Sequence, residues 1–223
     1  MAEVVELKAS DLAAMLCSRV CHDLISPVGA IGNGLEVLAD PDQKGMAEFA
    51  QELIENSARQ ARAKLEFARL AFGASSTAGT EIDTRDAEKV SHSYVGTEKA
   101  AIDWKIPPTL LPKNKVKMLL NMVLISVGCV PRGGVVTVVS EGAPGAERFT
   151  ITATGPKTLV PNGMPELLAG TPQDGRVDAQ VVQPFYTGLL ARETGMDLSL
   201  ALTGGIVTFT AFPKVTVAQS IHT

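Results

Sequence analysis

Two long stretches of three- and four-residue apolar spacing, separated by a short proline-bearing turn, fill the first third of this chain. From Ser10 or Asp11 to Leu38, the residues Leu12, Leu16, Val20, Leu24, Val28, Ile31, Leu35 and Leu38 fall on one stripe of a helix. Ser10 is placed to act as its N-cap, and Pro27 predicts a kink just before itself. Asp40-Pro41-Asp42 turns the chain, with Pro41 suited to a first helical position. A second helix then runs to about Phe72, carrying Met46, Phe49, Leu53, Ser57, Ala61, Leu65 and Ala68 in a heptad-like stripe. Two such helices form an antiparallel hairpin. One hairpin buries little apolar surface by itself, whereas two face to face make a four-helix bundle. The pattern therefore predicts a two-fold homodimer through this region. The alternative is that the rest of the chain covers the hairpin.

The chain changes character near residue 75. Phe72-Gly73-Ala74-Ser75-Ser76-Thr77-Ala78-Gly79-Thr80 is small, polar and glycine-bearing, and reads as a linker. The expected organisation is a helical unit over residues 1–75, a mixed unit over 80–215 and a tail over 216–223. Strand patterns cover 101–106, 135–140, 148–153, 197–202 and 206–212, with hairpin turns at Gly142-Ala143-Pro144-Gly145 and Thr203-Gly204-Gly205. Helices are expected over 113–130 and 178–194. The result is an α+β class, with a sheet carrying helices on one face.

Composition excludes several functions. Of 223 residues 45% are hydrophobic and 20% charged, with net charge −4, so no basic surface for nucleic acid is expected. The most apolar run, 118–130, is too short for a membrane span and is broken by Asn121 and Ser126. No signal-peptide pattern opens the chain. Three cysteines do not make a disulfide scaffold and fit a reducing cytoplasm.

The first helix carries one residue that faces the wrong way for a core. At 100° per residue, His22 lies roughly 180° from the mean of the apolar stripe. Ser18, Ser26, Gly29 and Asn33 share its outer face, with Ile25 at the edge. A neutral imidazole nitrogen can attack phosphorus, and the resulting phosphoramidate passes its phosphoryl on readily, so an exposed histidine suits a carrier. Gly29 and Gly32 would let a partner come close. Helix-interior glycine costs about 1 kcal/mol relative to alanine, so their presence asks for a reason. Asp23 can hydrogen-bond the ring nitrogen that does not react. Cys17 and Cys21 lie near the apolar stripe and are expected to be small buried hydrophobes, not metal ligands. No metal or cofactor site is expected. His92 and His222 have no assignable partner.

His22-Asp23-Leu24-Ile25-Ser26-Pro27 resembles the H-box of sensor histidine kinases, and the order of elements after residue 80 is similar to their ATP-binding domain of the GHKL type. Three nucleotide motifs are missing from that likeness. In Leu119-Leu120-Asn121-Met122-Val123-Leu124-Ile125-Ser126, Asn121 keeps the first asparagine of the N-box, but Ile125 stands at the Mg²⁺-binding position and cannot hold a hard cation. Ala153 stands where the adenine-reading aspartate should be. Asp178-Ala179-Gln180-Val181-Val182-Gln183-Pro184-Phe185 lacks the glycines of a phosphate loop. Together with Cys21 to Ile31, Leu65 to Gly73 and Gln183-Pro184-Phe185-Tyr186, this combination resembles the alphaproteobacterial histidine phosphotransferases of the ChpT family.

The resemblance implies a homodimeric four-helix bundle of the DHp type followed by a degenerate, ATPase-like α/β sandwich. It implies a phosphorelay in which His22 takes phosphoryl from a receiver-domain aspartate of a hybrid histidine kinase. His22 then passes it to response regulators that control the cell cycle. Asp23 and Ser26 would support the chemistry; Ile25, Gly29 and Asn33 would dock the partner. The receiver would bring the Mg²⁺, and the chain would bind no cofactor, nucleic acid or membrane. Two alternatives stay open: an active histidine kinase with a divergent ATP site, and an adaptor that binds receivers without accepting phosphoryl.

Overall fold

The computed structural model describes residues 4–73 and 81–214. Most of the expected linker and the whole expected tail, with His222, lie outside the described residues. The chain opens with helix α1 (Ala9–Ala39), a 3₁₀ turn (Pro41–Met46) and helix α2 (Ala47–Ala71). Helix α1 stays helical through Pro27, which is buried. Its N-cap is Lys8 and makes no side-chain cap; Ser10, expected there, instead points its hydroxyl at the Asp11 carboxylate, 3.5 Å away. At the turn Asp40 does cap, accepting from the Asp42 backbone N–H at 2.9 Å, with Pro41 in the first position. The helices meet closely where Gly34 is buried: a methyl there would stand 2.6 Å from Ile54 Cγ1.

The second unit comprises β1 (Glu81–Asp83), α3 (Thr84–Val95), β2 (Ala100–Trp104), β3 (Leu110–Pro112), α4 (Lys113–Gly128), β4 (Gly134–Glu141), β5 (Arg148–Thr154), α5 (Met164–Ala169), α6 (Val182–Glu193), β6 (Met196–Thr203) and β7 (Ile206–Pro213). Its five-stranded sheet has the order β2-β4-β5-β7-β6, with β2 parallel to β4 and every other neighbouring pair antiparallel. The Gly204-Gly205 turn has φ of 59° and 78°, the left-handed pair that joins β6 to β7 in two residues. The mixed α+β class is as expected. Helix α6 begins four residues later than expected, because Asp178 caps a preceding turn, accepting from the N–H groups of Gln180 and Val181.

Helix α4 is the axis of the core. Every residue from Lys115 to Ser126 is buried, as an apolar helix surrounded on all sides requires. Val136, Val138, Phe149, Ile151, Val207 and Phe209 alternate along their strands and close over it with no exposure. The hairpin joins this core at its open end. Phe67 and Ala71 of α2 are buried in the same cluster, together with half-buried Leu12 and Leu16 of α1. The Asn121 amide donates to the Ala71 carbonyl at 3.2 Å, and the Val5 N–H donates to the Gly170 carbonyl at 2.8 Å.

The covered face of the hairpin differs from the expected stripe. Helix α2 buries Ala50, Ser57, Ala63, Phe67 and Ala71. Met46, Phe49 and Leu65 of the heptad-like stripe are exposed in the single chain, as are Val28, Leu35 and Leu38 of α1. The intrachain contact uses the small residues, which lets the helices approach, and leaves the large apolar ones on the surface. Cys17 and Cys21, expected to be buried, are also exposed. The packed side of α1 is carried by Leu12, Leu16, Val20 and Leu24, and the cysteines are rotated off it.

Candidate functional site

Helix α1 lies against the sheet unit at its N-terminal half, and this contact decides which side stays open. With Leu12 and Leu16 packed inward, His22 points out, its side chain 81% exposed. Ile25, at 71%, and Ser26, Gly29 and Asn33 are exposed beside it on the following turns. All the residues grouped by helical spacing thus share one accessible face. A methyl added at Gly29 or Gly32 would touch nothing within 4 Å. No packing inside the chain calls for glycine there.

Asp23 sits at the margin of this face, half buried. Its Oδ1 is 3.4 Å from His22 Nδ1, and its Oδ2 accepts from Arg19 Nε at 3.1 Å. An ionised carboxylate only accepts, so this contact becomes a hydrogen bond only in the form of the ring that carries hydrogen on Nδ1. In that form Nε2 carries the lone pair, on a side chain 81% exposed. With hydrogen on Nδ1, the ring would present its Nε2 lone pair to a partner, with the Asp23 carboxylate behind it.

Arg19 was not singled out by the sequence reading, though its four-residue spacing from Asp23 is a signal for such a pair. It also walls a cleft of about 430 Å³ between α1 and the sheet unit, together with Tyr94, Glu98, Leu124, Ile125 and Gln183. Tyr94 stacks on Phe67, ring centroids 4.7 Å apart, and Glu98 is 3.7 Å from Lys64. Burial, helped by the Glu98 and Asp23 charges, pushes the Tyr94 hydroxyl well above the usual phenol range.

The positions compared with nucleotide motifs are built into the core. Ile125 is 4% exposed and Ala153 fully buried. The Asn121 side chain is fully buried; its Nδ2 donates to the Lys117 and Ala71 carbonyls, and Gln183 Nε2 donates to both its oxygens. Among the described residues no cluster of three or more His, Cys, Asp or Glu could hold a metal ion, and no helix is long and apolar enough to cross a membrane.

The chain is 50% identical over 207 residues to the protein phosphotransferase ChpT of Brucella abortus (strain 2308), covering 93% of this chain and 98% of that one. Its structure is similar to a bacterial phosphotransferase solved at 1.7 Å, with a TM-score of 0.86 and 48% identity, over 94% of this chain and 100% of that one. The family model of the histidine phosphotransferase C-terminal domain matches residues 84–206. With that identity over nearly its whole length and residues 84–206 matching that model, this chain belongs to the histidine phosphotransferase family.

Proposed function

We propose that the protein is a phosphohistidine carrier of a phosphorelay, with His22 as the acceptor. The observation that carries this reading is the exposed ring of His22 with Nδ1 turned to Asp23 and Nε2 to solvent. A receiver-domain aspartyl phosphate docks on the face formed by Ile25, Ser26, Gly29 and Asn33. The Nε2 lone pair forms the N–P bond as the P–O bond breaks, and its electron pair returns to the receiver carboxylate. The Nδ1 proton stays in place, and Asp23 stabilises the positive ring charge that develops. Running the same step backward hands the phosphoryl to a second receiver. The work of the protein is positioning, and the Mg²⁺ for the transfer comes with the receiver. Ser26, one turn beyond His22, is free to orient water or the ring.

The same reading divides the chain into a hairpin, residues 1–75, for dimerisation and transfer, and a sheet unit, 80–215, that does not use ATP. The burial of Ile125 and Ala153 and the internal bonds of Asn121 support the second part. The exposed Val28, Leu35, Leu38, Phe49 and Leu65 support a homodimer through the hairpin. The cytoplasm is the compartment in which such a carrier meets its donor, a hybrid histidine kinase, and its acceptors, response regulators coupled to the cell cycle.

The test is transfer from purified, phosphorylated receiver domains to the wild type and to His22→Ala. Label that reaches the wild type and not the variant is expected. Label on the variant would remove His22 from the role, and no label on the wild type would leave a receiver-binding adaptor. Calorimetry with Mg-ATP is expected to show no binding; micromolar affinity would favour a kinase.

A further inference from the structure

We infer that Arg19 is a positioning residue for the transfer, setting the protonation pattern of the His22 ring through Asp23. The inference rests on the phosphoacceptor reading above. A carboxylate with no other partner is free to rotate, and a rotating acceptor does not choose which nitrogen holds the hydrogen. Here Arg19 Nε takes Oδ2 of Asp23 at 3.1 Å and leaves Oδ1 toward His22 Nδ1 at 3.4 Å. The two oxygens are thereby given different partners, and the His22 contact is long enough that the Arg19 bond fixes the carboxylate more firmly.

Helix stability is a poor account of this pair. With the base N-terminal to the acid, the four-residue spacing has the weaker of its two orientations. A single i, i+4 ion pair of this kind adds little to a helix. Arg19 also faces the junction between hairpin and sheet unit. It lines the cleft with Tyr94 and Glu98, and these are fixed in turn by Phe67 at 4.7 Å and Lys64 at 3.7 Å. His22, Asp23 and Arg19 are linked in sequence by the two contacts above, and Arg19 shares its cleft with Tyr94, whose hydroxyl feels the charges of both Arg19 and Asp23. Arg19 thus stands between the reacting ring and the cleft that the sheet unit walls.

The test uses full-length, ¹⁵N-labelled, unphosphorylated protein. Long-range ¹H–¹⁵N NMR reads the ring state of His22, assigned by comparison with His22→Gln. In the wild type Nδ1 is expected to carry the hydrogen. Arg19→Met keeps the aliphatic stem in the cleft and is expected to move the ring toward the Nε2–H form. It should slow transfer at saturating phosphorylated receiver by about tenfold, with half-saturation unchanged. Arg19→Lys keeps a cation for Asp23 and should retain the wild-type ring. Unchanged ring resonances in Arg19→Met would overturn the inference, as would equal shifts in the Lys and Met variants. Both outcomes are read without phosphoryl, so they leave the acceptor role of His22 to stand or fall on labelling of the wild type.

Discussion

Phe67 of α2 and Tyr94 of α3 stack with ring centroids 4.7 Å apart and planes inclined at 39°, and this pair bolts the helical hairpin to the sheet unit. Phe67 is 2% exposed, so Phe67→Ala opens a cavity at the junction. A loss of about 3–5 kcal/mol is expected in urea unfolding. Because a dimer would couple stability to concentration, the comparison holds protomer concentration fixed. A cost below about 1 kcal/mol would mean that the two units are not mechanically joined here.

His22 should behave in the opposite way. Its side chain packs against nothing that holds the fold, so His22→Gln is expected to change stability by no more than about 0.5 kcal/mol. Phosphoryl uptake should nevertheless vanish. Thermal unfolding and a label-transfer assay on the same sample check both halves.

Gly29 separates folding from docking in one residue. A methyl meets nothing there, and helix-interior glycine carries an entropic cost, so Gly29→Ala should stabilise the chain by roughly 0.5–1 kcal/mol. A large side chain on the same open face should block a receiver. Gly29→Trp is expected to fold normally and to weaken receiver binding by about tenfold or more, a cost of about 1.4 kcal/mol upward. Unchanged receiver titrations of Gly29→Trp would move the docking face elsewhere.

Helix periodicity made α1, α2 and α4 legible, since each offers many turns of signal. Alternation did the same for the β4–β5 and β6–β7 hairpins, whose partners are near in sequence. Strands β1 and β3 were not legible: three residues carry no pattern, and Ile82 pairs with Leu111 far along the chain. Asp178 misled because a capping aspartate marks a turn as readily as a helix start. The site followed the same rule. The exposed face of His22 needs only local spacing, whereas the cleft that Arg19 shares with Tyr94 and Glu98 exists only once the sheet unit folds against α1. The cysteines were misplaced because a helix stripe says which residues are apolar but not which side a neighbour covers.

Lys115 and Glu147 give the fold an acid-sensitive point at the start of α4. Burial opposes ionisation of Glu147. The Lys115 ammonium at 2.7 Å and the Gly145 backbone N–H outweigh it and hold the carboxyl below its ordinary range. A carboxylate with a depressed folded-state value contributes stability above its unfolded value, about 4.3, and loses it as pH falls through the folded value. Stability should therefore drop as pH falls below about 5, and Glu147→Gln should flatten part of that slope. Urea midpoints at several pH values give the comparison; parallel slopes for the two proteins would rule the pair out as a source.

Leu35 and Phe49, at 55% and 59% exposure, lie on the outer face of the hairpin, where water is an unfavourable neighbour for both. A second hairpin would cover them, and a carboxylate placed in such an apolar interface must be desolvated without a partner. The double variant Leu35→Glu, Phe49→Glu is therefore expected to run in light scattering with the mass of one chain, and the wild type with the mass of two. Leu35 and His22 are turned to different sides of α1, so the ring state of His22 should survive dissociation. Loss of transfer in that monomer would then mean that the receiver needs surface from both hairpins. Retention of transfer would confine docking to one α1 and its own sheet unit. A variant that keeps the mass of two chains at micromolar concentration would show that these apolar residues do not form the dimer face.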